Sequence, residues 1–373
     1  MKRMSHPATP ASAAQNPKDP NPVGLRGIDF VELSSPDPDM LHRLLTAFGF
    51  SRTMRHQAKA IDLYEQHGIT FLLNREPRSF GAAFASQHGP SICSMGWLVD
   101  DPVRALGTAK ERGARPMMES DLTETRGAHT GAGIPSIYGI GESLITFVGS
   151  GANTPKDIGR ALGFVALDKP DRVADKGFLT IDHLTNNVAK GTMGRWASFY
   201  KDVFGFTEVR YFDIRGVKTG LTSYALRSPC GTFAIPINEA DEAKSQINEY
   251  LEEYKGPGIQ HVAFLTADIL ASLRGLDGTA LEFLDIDDEY YRGVFDRVPN
   301  VKEDRAELQK RNVLVDGDAD GYLLQIFTKN IVGPIFVELI QRQNHLSFGE
   351  GNFTALFRSI ERDQAKRGVF EGA

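Results

Sequence analysis

The chain repeats itself, and this repeat restricts the available folds more than any other feature. Ile92–Asp101 (ICSMGWLVDD) lies without a gap over Ile259–Asp268 (IQHVAFLTAD), and Gly141–Phe147 can be set over Gly321–Phe327. Earlier, Arg26–Leu33 is followed by a helix start at Ser35–Asp39, a stripe of Met40, Leu41, Leu44, Leu45 and Phe48, and a stop at Gly49-Phe50. Ile181–Leu184 leads in the same way to Trp196, Phe199, Tyr200 and Phe204, closed by Gly205-Phe206. Self-similarity of this kind is an architectural statement. Each unit reads as strand, helix and about three strands. The expected fold is therefore α+β: tandem βαβββ modules at roughly 25–90, 91–150, 178–240 and 256–340, paired into two open barrels. The expected division is a disordered tail (1–24), an N-terminal structural domain (25–150), a linker (151–177) and a catalytic domain (178–373).

The repeat is asymmetric in its chemistry. His261 stands in the apolar run Gly258–Leu265, His183 in Phe178–Thr185, and Glu338 in Ile335–Ile340. A buried imidazole or carboxylate needs a partner, whether a hydrogen bond, an opposite charge or a metal. Taken singly, each histidine reads as a satisfied core residue, and Glu338 as an ion-pair partner, for instance of Arg342. Together, two imidazoles and one carboxylate on separate strands form the ligand set of a mononuclear non-haem Fe(II) site. The first half has Phe30 where the second has His183, and Ser94 where it has His261. No first-half residue is expected to answer Glu338, because that half runs into the linker. The first domain thus reads as metal-free. The other histidines (His6, His42, His56, His67, His88, His129 and His345) stand in polar or helical contexts that suit solvated roles.

The second half also carries Ile181–Asn187, Pro236–Glu239, Lys244–Ile247, Gly258–His261, Leu324–Lys329, Gln341-Arg342 and Phe348–Phe353. On these motifs the chain from about Gly27 to Gly368 resembles the 4-hydroxyphenylpyruvate dioxygenase family, within the vicinal oxygen chelate superfamily. The resemblance implies Fe(II) held by His183, His261 and Glu338, and conversion of 4-hydroxyphenylpyruvate and O2 to homogentisate and CO2 in tyrosine breakdown. It puts Ser223, Asn238 and Gln246 in a polar network around the substrate, and Gln260 and Gln325 in catalytic positions beside metal and keto acid. Phe327 and Phe353 would flank the aromatic ring, with Phe336 and Phe348 lining the pocket. Asn352 and Phe357 would belong to a closing C-terminal segment. It implies a homodimer or homotetramer. The nearest rival is hydroxymandelate synthase, with the same fold, iron and substrate. A metal-free small-molecule-binding protein of this fold is more distant.

Phe353, Leu356, Phe357 and Ile360 recur at helical spacing, and Lys366-Arg-Gly368 supplies a cationic end with a terminal glycine. This helix is either packing on the barrel or a lid. The loop before it lacks the spacing of a phosphate-binding glycine motif. A net charge of -6 gives no electrostatic case for nucleic acid or anionic membrane, and no apolar run is long enough to span a bilayer. Two cysteines, Cys93 and Cys230, make no disulfide framework, and no secretory signal is visible. A cytoplasmic protein is expected.

Overall fold

The computed structural model describes residues 19–117, 134–149, 162–215, 220–240, 242 and 244–367. Its strands are β1 Leu25–Ser34, β2 Ser51–His56, β3 Ile61–Gln66, β4 Ile69–Asn74, β5 Ser91–Val99, β6 Ser136–Tyr138, β7 Leu144–Gly149 and β8 Phe164–Asp171 in the first half. The second half supplies β9 Phe178–Val188, β10 Thr207–Arg215, β11 Gly220–Arg227, β12 Ala234–Ala240, β13 Gly258–Thr266, β14 Leu314–Gly317, β15 Tyr322–Phe327 and β16 Phe336–Gln343. They form two curled sheets, ordered β6-β7-β5-β1-β4-β3-β2-β8 and β10-β11-β12-β9-β13-β16-β15-β14. In each sheet a central antiparallel pair (β1 with β5, β9 with β13) is flanked by parallel neighbours (β4 and β7, β12 and β16). The expected α+β open-barrel architecture is present in both halves.

Local chemistry explains the helices that support the sheets. Asp37 caps the helix Pro38–Ala47 by accepting from the Met40 amide, and Leu41 and Leu45 are its buried face. The helix Met193–Phe204 ends at Gly205, whose φ of 80° is open to glycine at little cost. The two halves share one core. Phe264 sits among Phe48, Phe50, Phe71 and Phe178, at centroid distances of 5.3 to 5.9 Å. The fully buried Trp97 packs on Phe204, Phe206 and Phe233 from the other half.

Strand pairing corrects one part of the repeat. Gly141–Phe147 does not correspond to Gly321–Phe327. β7 pairs parallel with β5, as β16 does with β13, so β7 answers β16 and the short β6 answers β15. Thr146 registers with Gly96, and Glu338 with Ala263, the residue at the matching position. Glu338 therefore does have a first-half counterpart, which is Thr146. Apolar strands look alike in sequence, and only their partners tell them apart.

The same registers put Phe30 opposite Gly96 and His183 opposite Ala263, as the repeat requires. A Cβ on Gly96 would fall 2.3 Å from the Phe30 ring. Phe30 packs there with Met54, Ile61, Leu63, Leu72, Val148 and Phe164. That apolar cluster fills the first barrel where the second has its ligand-type residues. Phe164 comes from β8, which lies inside the stretch read as a linker and adds an edge strand beside β2. Most of the expected N-terminal tail lies outside the described residues, although Val23 is already buried in the core.

Candidate metal centre and substrate cavity

β9, β13 and β16 are adjacent, and side chains two residues apart on a strand share a face. His183 and Glu338 flank the small Ala263 from its two sides, and His261 stands two residues earlier on the same strand. Registry alone thus aims three donors at one point. His183 Nε2 lies 3.1 Å from Glu338 Oε2 and 3.3 Å from His261 Nε2, and His261 Nε2 lies 3.4 Å from the same Glu338 oxygen. All three residues are buried, and no other group of three metal-ligating side chains converges among the described residues.

Surrounding groups fix how these donors are presented. His183 Nδ1 donates to Asp182 Oδ2 at 2.7 Å, and His261 Nδ1 donates to Gln260 Oε1 at 3.0 Å, so both Nε2 atoms face the centre. Gln325 donates to Glu338 Oε1 at 3.0 Å, leaving Oε2 for the centre. Burial disfavours the charged form of His183, but Glu338 and Asp182 outweigh it and raise its pKa to about 9. Burial acts against the Glu338 carboxylate, which His183 and His261 nevertheless hold down at about 2. Burial lowers His261. A carboxylate kept ionised between two imidazoles, each with an outward hydrogen-bond partner, suits a divalent cation.

A cavity opens over this face. It is lined by His183, His261, Glu338, Ser223, Asn238, Gln246, Gln260, Gln325, Phe327, Phe336, Phe348, Phe353 and Phe357. Phe336 stacks on the His261 ring at 4.7 Å and 18°, and Phe327 meets it edge-on at 6.3 Å. Phe348 lies edge-on to His183 at 5.6 Å. Asn238 donates to Gln260 Oε1 at 3.5 Å and to Asn187 Oδ1 at 3.3 Å.

Asn352 is the expected site residue that does not line this cavity. It sits behind Gln325, donating to its Oε1 at 2.8 Å and accepting from Tyr290 Oη at 2.6 Å. It thereby ties the start of the C-terminal helix Phe353–Lys366 to Glu338 through one amide. The helix contributes Phe353, Leu356, Phe357 and Ile360 to the cavity wall, so it covers the site.

Several lining residues were given no site role from the sequence: Thr185, Phe212, Leu221, Ala225 and Pro236. Alternation along β11 and β12, once β12 is known to lie beside β9, would have found the last three. The Asp182–Arg342 ion pair was also hidden, at 2.7 Å. Arg342 pairs with Asp182 rather than with Glu338, the partner considered from sequence. His88 is not solvated either: its ring stacks on Tyr254 at 4.7 Å, with Nδ1 2.6 Å from the Tyr254 carbonyl.

Paired open barrels with one buried two-histidine, one-carboxylate face define the vicinal oxygen chelate class. Residues 180–326 match the Glyoxalase/Bleomycin resistance protein/Dioxygenase superfamily, and residues 20–156 match the hydroxyphenylpyruvate dioxygenase N-terminal family. The chain is 53% identical over 352 residues to Protein MelA of Shewanella colwelliana, covering 94% of this chain and 98% of that one. It is 42% identical over 354 residues to a 4-hydroxyphenylpyruvate dioxygenase of Legionella pneumophila, again covering 94% and 98%. A variant of 4-hydroxymandelate synthase from Streptomyces coelicolor superposes with a TM-score of 0.75 at 25% identity, over 91% of this chain and 99% of the other. The chain belongs to the 4-hydroxyphenylpyruvate dioxygenase family.

Proposed function

We propose that the protein is a ferrous dioxygenase that converts 4-hydroxyphenylpyruvate and O2 to homogentisate and CO2, with His183, His261 and Glu338 as the iron ligands. The observation that carries this reading is the buried three-donor face opening into an aromatic cavity with neutral amides on its walls. A ferrous ion bound there would offer adjacent positions to an α-keto acid and to O2, and would supply the redox chemistry of the decarboxylation and ring attack.

The chain's own residues do the remaining work. Gln260 and Asp182 fix the ring orientation and tautomer of the two histidines. Gln325 holds one oxygen of Glu338 so that the other faces the centre. Phe327, Phe336 and Phe353 give the substrate ring apolar faces and present no easily oxidised group. Ser223, Asn238 and Gln246 offer neutral hydrogen-bond partners to a phenol, so no further charge lies beside the metal. The C-terminal helix keeps bulk water off the reacting centre.

The similarity to 4-hydroxymandelate synthase supports a second reading, in which the same substrate is hydroxylated at its benzylic carbon. Pro236, Asn238 and Phe353 fit the homogentisate-forming pattern, and we rank that reading second. A small soluble homo-oligomer in the cytoplasm accords with both; among the described residues no helix is long and apolar enough to cross a membrane. Product analysis decides between them. With Fe(II) and 4-hydroxyphenylpyruvate, O2 consumption should match homogentisate and CO2 formed one for one. Hydroxymandelate would select the second reading, and no O2 uptake would overturn both.

A further inference from the structure

Arg342 stands near the end of β16, and its guanidinium makes two sets of contacts. Nε and Nη2 donate to the two oxygens of Asp182 at 2.7 and 2.8 Å. Nη1 donates to the carbonyls of Ser347 at 2.6 Å and His345 at 3.1 Å. Asp182 in turn accepts from His183 Nδ1. One cation therefore grips the loop that carries the C-terminal helix and, through a single carboxylate, a metal-ligand histidine. Only a planar fork can do both at once, and a lysine ammonium cannot. Asp182 and Arg342 are 14% and 11% exposed at the side chain, so water does little to screen the pair. Arg342 also lies 5.8 Å over the Phe348 ring, a cavity wall carried by the same loop.

The repeat supplies an internal control. Asp29 occupies the position of Asp182, next to Phe30 where the second half has His183. Among the described residues no ion pair holds Asp29, and burial alone pushes its pKa up to about 7. At the position matching Arg342 the sequence has Ser150. The aspartate is present in both halves. The arginine is present only where there is a ligand histidine to orient and a terminal helix to seat.

We propose that Arg342 is a positioning residue that links the seating of the C-terminal helix to the geometry of His183, so that metal binding and loop order reinforce each other. The inference rests on the metal-centre reading above. Linkage is reciprocal: if the loop holds the ligand, the bound metal must hold the loop.

The test uses full-length metal-free protein, Co(II) or anaerobic Fe(II) alone as the probe, and no substrate. In the unmodified protein, metal should slow amide hydrogen exchange across residues 344–352. In R342M the metal dissociation constant should rise roughly 10- to 100-fold, the usual cost of losing such outer partners, and the metal-induced protection should vanish. R342K keeps a charge beside Asp182 but loses the fork, so it should recover affinity without the full protection. If R342M does not fold, R342K decides the matter: full metal-induced protection in R342K would overturn the inference. Unchanged affinity and unchanged metal-induced protection in a folded variant would overturn the inference alone. An unmodified protein that binds neither metal would overturn it together with the functional reading.

Discussion

Gly349→Ala should disable the enzyme without touching a ligand. Gly349 has a φ of 79°, and a Cβ there would lie 1.8 Å from Gln325 Oε1. An L-residue in this left-handed region costs about 1–2 kcal/mol. Gln325 would also have to swing away, losing its bond to the Glu338 carboxylate and the one it accepts from Asn352. A hydrogen bond to a charged group contributes roughly 1.5–3 kcal/mol, so the total reaches about 3–5 kcal/mol. The helix Phe353–Lys366 can relieve most of this by shifting off the cavity, and global unfolding is not required. At about 1.4 kcal/mol per factor of ten, the helix should leave its seat in nearly all molecules, lowering kcat/KM by roughly 100-fold or more. Steady-state kinetics, the melting temperature of the metal-free protein and hydrogen exchange over residues 349–366 should be measured together. A variant with unaltered kcat/KM and a fully protected helix would refute both the collision and the role given to Gln325.

Further outcomes follow from other parts of the molecule. His183→Ala, His261→Ala and Glu338→Ala should each abolish turnover and bound metal, while circular dichroism shows a retained fold; activity surviving in any one would break the ligand assignment. Phe353→Ile should shift the product ratio more than the metal affinity, as read by chromatography of the products. For Asp29, burial raises the folded pKa from 3.8 to about 7, so the folded state holds a proton that the unfolded state releases, and stability declines as pH rises between those values. Asp29→Asn should therefore stabilise by roughly 1–3 kcal/mol at pH 8 and by nothing below pH 4, measured by denaturant titration. Phe264→Ala, which removes three aromatic contacts between the halves and a fourth with Phe178, should cost about 3–5 kcal/mol in the same assay.

Much of this organisation was legible in the sequence because the chain carries its own comparison. A histidine in an apolar strand says little, but His183 facing Phe30 across the repeat, and His261 facing Ser94, mark these two as candidate ligands rather than ordinary core residues. Glu338 was legible as a candidate ligand because a carboxylate in an apolar run needs a partner, yet its counterpart Thr146 was not. Assigning β7 to β16 needs strand partners, and the match of apolar runs pointed to β15 instead. The polar supports were least visible. Asp182 and Arg342 are 160 residues apart and look like ordinary surface charges until the sheet closes. Asn352 was legible as part of the closing segment, but its work is to brace Gln325 from behind rather than to meet substrate.

The most direct test of the central claim is an anaerobic Fe(II) titration in the presence of 4-hydroxyphenylpyruvate, followed by admission of air. The account predicts one tightly bound Fe(II) per chain, a coloured keto-acid chelate that needs all three of His183, His261 and Glu338, and loss of that colour with formation of homogentisate when O2 enters. Keto acid binding equally well without iron, or a chelate that survives replacement of any one of the three ligands, would contradict it.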